Sequence, residues 1–184
     1  MDSRAIFFDR DDTLMKNVPY LGDPTQVEVF PQARSCLEAL RGLGFELFVI
    51  SNQSGVGRGL ITLPQVDGVN AEMIRQLGGN FFRKFYMCYE EPGQPRIYQR
   101  KPSPNLVYEA AREFGINLAN SFFIGDRLSD ILAGRNAGCR TVLVLSGHNI
   151  IERPLASHFA DFVVRDLNEA EDAIRKQESL EIPS

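Results

Sequence analysis

Along the chain, short apolar runs alternate with longer stretches whose apolar residues recur at helical spacing. Ala5–Phe8, Glu46–Ile50, Phe85–Tyr89, Ser121–Ile124, Thr141–Leu145 and Phe162–Val164 predict strands. Between them, Pro31–Leu43, Pro64–Leu77, Ser103–Phe114, Leu128–Ala137 and Leu167–Gln177 predict helices. Pro31, Pro64 and the Ser103-Pro104 pair are start signals, since proline is tolerated in a first helical turn. Gly44, Gly78, Gly115 and Gly138 are the matching stop signals, where a left-handed residue ends a helix. Strands apolar on both faces and separated by helices imply βαβ crossovers, hence an α/β fold with a mostly parallel sheet.

Two connections are longer than the geometry needs: Met15–Val29, after the first strand, and Glu90–Arg100, which carries Pro92, Gly93 and Pro95. Long loops in a compact α/β domain usually serve as lids or substrate loops. There is no internal repeat. Residues 1–177 are expected to form one domain, and 178–184 a frayed tail.

Composition narrows the field. The hydrophobic share of 43% and charged share of 24% are those of a soluble globular protein. A net charge of -4 argues against a general nucleic-acid binder, which needs a basic face, but leaves room for a basic pocket holding one small anion. Three cysteines, Cys36, Cys88 and Cys139, give neither a disulfide framework nor a metal knuckle, and read as buried thiols in a reducing compartment. With neither a signal peptide nor a membrane-length apolar run, the chain is expected to be cytoplasmic and away from membranes.

The candidate chemistry lies at the carboxyl ends of the predicted strands, the edge where open α/β sheets bind ligands. After the first strand comes Asp9-Arg10-Asp11-Asp12-Thr13. Three carboxylates so close repel one another, and a hard divalent cation such as Mg²⁺ relieves that; a solvated acidic turn reads the same way. Ser51-Asn52-Gln53-Ser54-Gly55 offers donors to phosphate oxygens, though it is also ordinary turn chemistry. Arg100-Lys101-Pro102 puts a cation ahead of a helix, where an exposed basic pair is equally at home. In Gly125-Asp126-Arg127-Leu128-Ser129-Asp130, Asp126 ends a strand and Asp130 stands over it on the next helical turn, or serves only as an N-terminal helix charge. Four clusters in this order carry an argument that none carries alone.

Together these motifs resemble the haloacid-dehalogenase superfamily of phosphatases, over roughly residues 5 to 145. Phe7-Phe8-Asp9-Arg10-Asp11-Asp12-Thr13-Leu14, Ser51-Asn52-Gln53-Ser54-Gly55, Val56-Gly57-Arg58-Gly59 and Arg100-Lys101-Pro102 resemble its histidinol-phosphate and heptose-bisphosphate phosphatase branch most. The resemblance implies a Rossmannoid three-layer fold without a separate cap domain. It implies Asp9 as nucleophile, Asp11 as general acid and then base, and Mg²⁺ held by Asp9, the Asp11 backbone carbonyl and Asp126, with Asp130 in support. Ser51, Asn52 and Lys101, with Gln53 and Ser54, would hold the phosphoryl group, while Arg100, Arg127, Asn17 and Tyr20 would touch the rest of the substrate.

Two departures from the branch stand out. Its zinc loop is reduced to Cys88, so no zinc is expected, and the loop would be held by packing of residues such as Ile97 and Tyr98 or move more freely. Asp12 stands where glycine is common. The expected activity is a Mg²⁺-dependent phosphomonoesterase acting on a small phosphate ester, first a sugar phosphate such as heptose 1,7-bisphosphate. Histidinol phosphate, a nucleic-acid end, or a non-catalytic binding role on the same fold are the alternatives. A monomer or small homo-oligomer is expected, with no nucleic-acid partner.

Overall fold

A computed structural model of the chain describes residues 3–93, 98–147 and 150–181. Six strands form one sheet: β1 (Ala5–Phe8), β2 (Glu46–Asn52), β3 (Lys84–Cys88), β4 (Phe122–Gly125), β5 (Arg140–Val144) and β6 (Phe162–Val164). All neighbours are parallel, in the order β3-β2-β1-β4-β5-β6. The helices are α1 (Ala33–Gly42), α2 (Ser54–Gly57), α3 (Leu63–Leu77), α4 (Asn105–Phe114), α5 (Leu128–Ala137), α6 (Arg153–Phe159) and α7 (Leu167–Glu181).

The period-two alternation of the strands sorts the layers. Ile6, Phe8, Leu47, Val49, Phe122 and Ile124 face α1, α3 and α7 in one apolar cluster. Ala5, Phe7, Phe48, Ile50 and Phe123 face α4 and α5 in another. Burial on both faces explains why these strands read as unbroken apolar runs. The chain winds outward from β1 to β3, then returns to β4 on the other side of β1. That reversal opens a crevice at the carboxyl ends of β1 and β4, where both acidic motifs emerge.

The four glycine stops behave as expected: Gly44, Gly78, Gly115 and Gly138 have φ of 86°, 77°, 65° and 89°. Some boundaries move. β2 continues two residues past Ile50, because Ser51 and Asn52 pair with Met87 and Cys88 of β3. α3 starts one residue early on a capping box in which Gln65 Oε1 accepts the Thr62 N–H at 2.8 Å. α7 runs to Glu181, past Gln177. The short helices α2 and α6 have no counterpart in the sequence prediction; four and seven residues are too few to show a period. Among the described residues, no helix is long and apolar enough to cross a membrane.

The phenylalanines are largely core. Phe82 is buried, and Phe81 and Phe85 pack against the same cluster. His158 lies exposed on α6 against Phe159, and His148 falls outside the described residues.

Candidate active site

The site grows out of the ends of β1, β2 and β4. Asp9 follows β1 directly, and its N–H donates to Ile124 O of β4 at 2.9 Å, which fixes the carboxylate between two strands. Lys101 arrives from the loop ahead of α4. Asn52, the last residue of β2, clasps it: Lys101 N–H donates to Asn52 Oδ1 at 3.0 Å, and Asn52 Nδ2 donates to Lys101 O at 3.2 Å. Both polar ends of the Asn52 side chain are therefore committed to the Lys101 backbone. Asn52 thus braces Lys101 and also borders the cavity, where its amide carries a second N–H.

Lys101 is buried, and its Nζ donates to Asp9 Oδ1 at 2.6 Å and Ile50 O at 2.7 Å, and lies 2.7 Å from Asp130 Oδ1. Burial alone disfavours its charge, but Asp130 and Asp9 outweigh that and raise its proton affinity. Asp130 Oδ2 accepts the Arg127 N–H at 2.9 Å, so this residue both caps α5 and faces Lys101; the two roles left open by the sequence coexist. A Cβ at Gly125 would overlap the Asp130 side chain, so the end of β4 must be glycine for that approach.

Asp126 is different. It is 4% exposed, and among the described residues neither carboxylate oxygen has a hydrogen-bond partner, although Arg127 Nε lies 3.8 Å from Oδ2. Carboxylate oxygens of Asp9, Asp126 and Asp130 lie within 4.8 Å of one another. Burial, then the neighbouring carboxylates, push Asp126 well above the usual range; burial pushes Asp9 upward too, moderated by Lys101. Buried carboxylate oxygens that accept no hydrogen bond from the described residues, in an all-oxygen donor set, fit a hard divalent cation such as Mg²⁺.

The Asp11 carboxylate stays out of this trio. Gln53 Nε2 donates to Asp11 Oδ2 at 2.7 Å, and Arg10 Nη2 donates to both oxygens at 3.2 Å. Gln53 also donates to Ser51 Oγ at 2.9 Å, so it links the β1 and β2 motifs. Asp12 takes φ of 57°, the left-handed conformation that glycine adopts freely and aspartate better than most residues. Its carboxylate accepts the Asn17 N–H at 3.2 Å, which ties the long first loop back to the motif.

These groups line a cavity of about 350 Å³. The catalytic, phosphate-binding and substrate-contact residues expected from the sequence all border it, whereas buried Asp126 and Asp12 are not among its lining residues. Tyr20, φ 52°, leans over the rim against Gly55, where a Cβ would lie 2.9 Å from the ring.

Several contributors escaped the sequence reading. Arg10 is 1% exposed and donates through Nη1 to buried Asn70 at 2.9 Å, which aims its other nitrogen at Asp11. Ser146 and Gly147 follow β5. Ser146 Oγ donates to Asp12 O at 2.5 Å, and Gly147 packs so closely on the Asp126 carboxylate that a Cβ would overlap it. Their position at a strand end is the signal that could have found them. Glu90 is another: its carboxylate, rather than packing by the exposed Tyr98, gathers the loop ahead of Arg100. Ile97 lies outside the described residues.

Comparison with known proteins decides the lineage. A D-glycero-D-manno-heptose-1,7-bisphosphate 7-phosphatase of Chlorobaculum tepidum is 33% identical over 186 residues, spanning 91% of this chain and 92% of the relative. The chain belongs to the haloacid-dehalogenase-like phosphatases. A D-glycero-beta-D-manno-heptose-1,7-bisphosphate 7-phosphatase of Helicobacter pylori is 32% identical over 177 residues, covering 94% and 98% of the two chains. The HAD-hydrolase-like family model matches residues 98–170, from the loop that carries Lys101 into the first turn of α7. In structure, this haloacid-dehalogenase-like chain shares its fold with the D,D-heptose 1,7-bisphosphate phosphatase of B. bronchiseptica, solved with magnesium and phosphate. Their TM-score is 0.85 at 24% identity, over 95% and 99% of the two chains. A putative HAD-like phosphatase from Mesorhizobium loti gives a TM-score of 0.82 at 27% identity, over 100% and 90%.

Proposed function

We propose that this protein is a Mg²⁺-dependent phosphomonoesterase that removes one phosphate from a sugar bisphosphate such as heptose 1,7-bisphosphate. The observation that carries the reading is the buried contact of Lys101 Nζ with Asp9 and Asp130, beside Asp126 oxygens that accept no hydrogen bond from the described residues.

In this reading the Asp9 carboxylate attacks the phosphorus, forming an O–P bond as the bond to the sugar oxygen breaks. Asp11 delivers a proton to the departing oxygen, then accepts one from the water that hydrolyses the aspartyl-phosphate. Lys101 offsets charge on the transferring phosphoryl oxygens, with Ser51 and Ser54 beside it in the cavity. Asp9, Asp126 and the Asp11 backbone carbonyl would hold the cation, with Asp130 in support. When bound, it neutralises charge so that an anionic nucleophile and an anionic phosphate approach each other.

The choice of a bisphosphate rests on a cationic rim. Partial burial lowers the proton affinity of Arg100, and the nearby guanidinium groups of Arg58 and Arg127 lower it further. Arg100 and Arg127 line the cavity and Arg58 is near enough to Arg100 to repel it, a local excess of positive charge that favours a second anionic group on the substrate. Histidinol phosphate, whose distal end is cationic, is disfavoured there. The test is kcat/KM with Mg²⁺ for heptose 1,7-bisphosphate, histidinol phosphate and a 5′-phosphorylated oligonucleotide. The bisphosphate is expected to lead by roughly tenfold or more; a lead for either competitor would overturn the assignment.

A further inference from the structure

Glu90 lies two residues beyond β3 and makes contacts that no catalytic step uses. Its Oε2 accepts three successive backbone N–H groups, those of Tyr98 and Gln99 at 3.1 Å and Arg100 at 3.2 Å. Cys88 Sγ approaches the same oxygen at 3.6 Å, and Arg100 Nη1 donates to the Glu90 carbonyl at 3.3 Å. Consecutive N–H groups converging on one point form an anion nest, here filled by the protein's own carboxylate. Burial would raise the proton affinity of Glu90, yet the three N–H donors prevail and hold it below the usual glutamate range.

Arg100 and Lys101 are adjacent but anchored differently. Lys101 is held by Asn52 along its backbone and by Asp9, Ile50 O and Asp130 at its tip. Arg100 has none of these: its N–H ends on the Glu90 carboxylate, its guanidinium on the Glu90 carbonyl, and its own carbonyl accepts from Ser103 N–H in the same loop. Removing the Glu90 carboxylate therefore takes away the partner of the Arg100 N–H and of the two amides before it, leaving the guanidinium its bond to the Glu90 carbonyl, while the anchors of Lys101 are untouched.

We propose that Glu90 is a specificity-determining positioning residue, which sets Arg100 against the distal phosphate of the substrate by clamping the loop from Tyr98 to Arg100 onto the end of β3. This rests on the reading of Arg100 as a contact to the substrate beyond the transferring phosphoryl group. It concerns binding of the distal group alone and leaves the chemical step to the residues around Asp9.

The experiment compares Glu90→Ala and Glu90→Gln with the wild-type chain, using two substrates and amide hydrogen exchange. 4-Nitrophenyl phosphate has no distal anion, so its kcat and KM in Glu90→Ala are expected to stay within about twofold, which also shows that the site is folded. For heptose 1,7-bisphosphate, KM is expected to rise roughly ten- to a hundredfold with kcat little changed, the pattern of lost uniform binding. Glu90→Gln, which keeps one acceptor oxygen, is expected to fall between the two. The Tyr98, Gln99 and Arg100 amides should exchange faster in Glu90→Ala. Unchanged exchange, an equal loss on both substrates, or an unchanged KM for the bisphosphate would each overturn the proposal. A wild-type chain inactive on both substrates would instead refute the phosphatase reading, and the exchange rates alone would then decide whether Glu90 clamps the loop.

Discussion

Single residues here succeed or fail by how closely the backbone lets groups approach. Gly147 is the sharpest case, because the loop after β5 lies directly on the Asp126 carboxylate. Arg153 of α6 fixes that loop, donating through Nη2 to Leu145 O at 2.9 Å and Gly147 O at 2.5 Å, so the backbone cannot retreat without losing both bonds. A methyl group at residue 147 must therefore displace Asp126. Gly147→Ala is expected to raise the Mg²⁺ concentration for half-maximal activity roughly tenfold, the scale of disturbing a group that orients a metal ligand. A Mg²⁺ titration of activity checks it; an unchanged midpoint would show that Asp126 does not hold the cation. The sequence names Asp126 but not Gly147, since only the fold brings residues so far apart into contact.

At the scale of elements, the carboxylates of β1, β4 and α5 are held together more tightly than water would allow. In the metal-free protein Asp9 and Asp126 take up protons more readily than unfolded carboxylates, chiefly through burial. The sign follows from linkage. Raised folded values favour the metal-free fold in acid, and that contribution is lost as pH climbs from the ordinary carboxylate range through the raised values. A cation binds the deprotonated forms, so its stabilisation grows over the same window. The gain in Tm on adding millimolar Mg²⁺ is expected to be larger near pH 8 than near pH 5; equal gains would contradict a site built on these two groups. The strands and most helix ends were legible because burial on both faces leaves unbroken apolar runs, and because four glycines in left-handed turns mark the helix ends. The short helix α6 and the clasp between Asn52 and Lys101 were not. Seven residues show no period, and a hydrogen bond across 49 positions leaves no local trace.

The whole molecule reconciles a net charge of -4 with an anionic substrate by segregating charge. The clustered carboxylates lie buried at the sheet edge, while Arg100 and Arg127 line the cavity, with Arg58 close to Arg100. Reversal of strand order beside β1 creates the crevice, and the loop at Tyr20 and the loop at Glu90 border it from two sides. In such an arrangement the sheet supplies the chemistry and the loops choose the substrate, which is why the motifs point to the reaction more firmly than to the sugar. The central claim is that Asp9 carries the phosphoryl group. Turnover of 4-nitrophenyl phosphate with Mg²⁺ by the wild-type chain and by Asp9→Asn tests it most directly, with Tm measured alongside to show that the variant is folded. Robust wild-type turnover and a loss of at least about 10³-fold in a folded Asp9→Asn variant are expected. Turnover within a few fold of wild type in that variant would contradict the account.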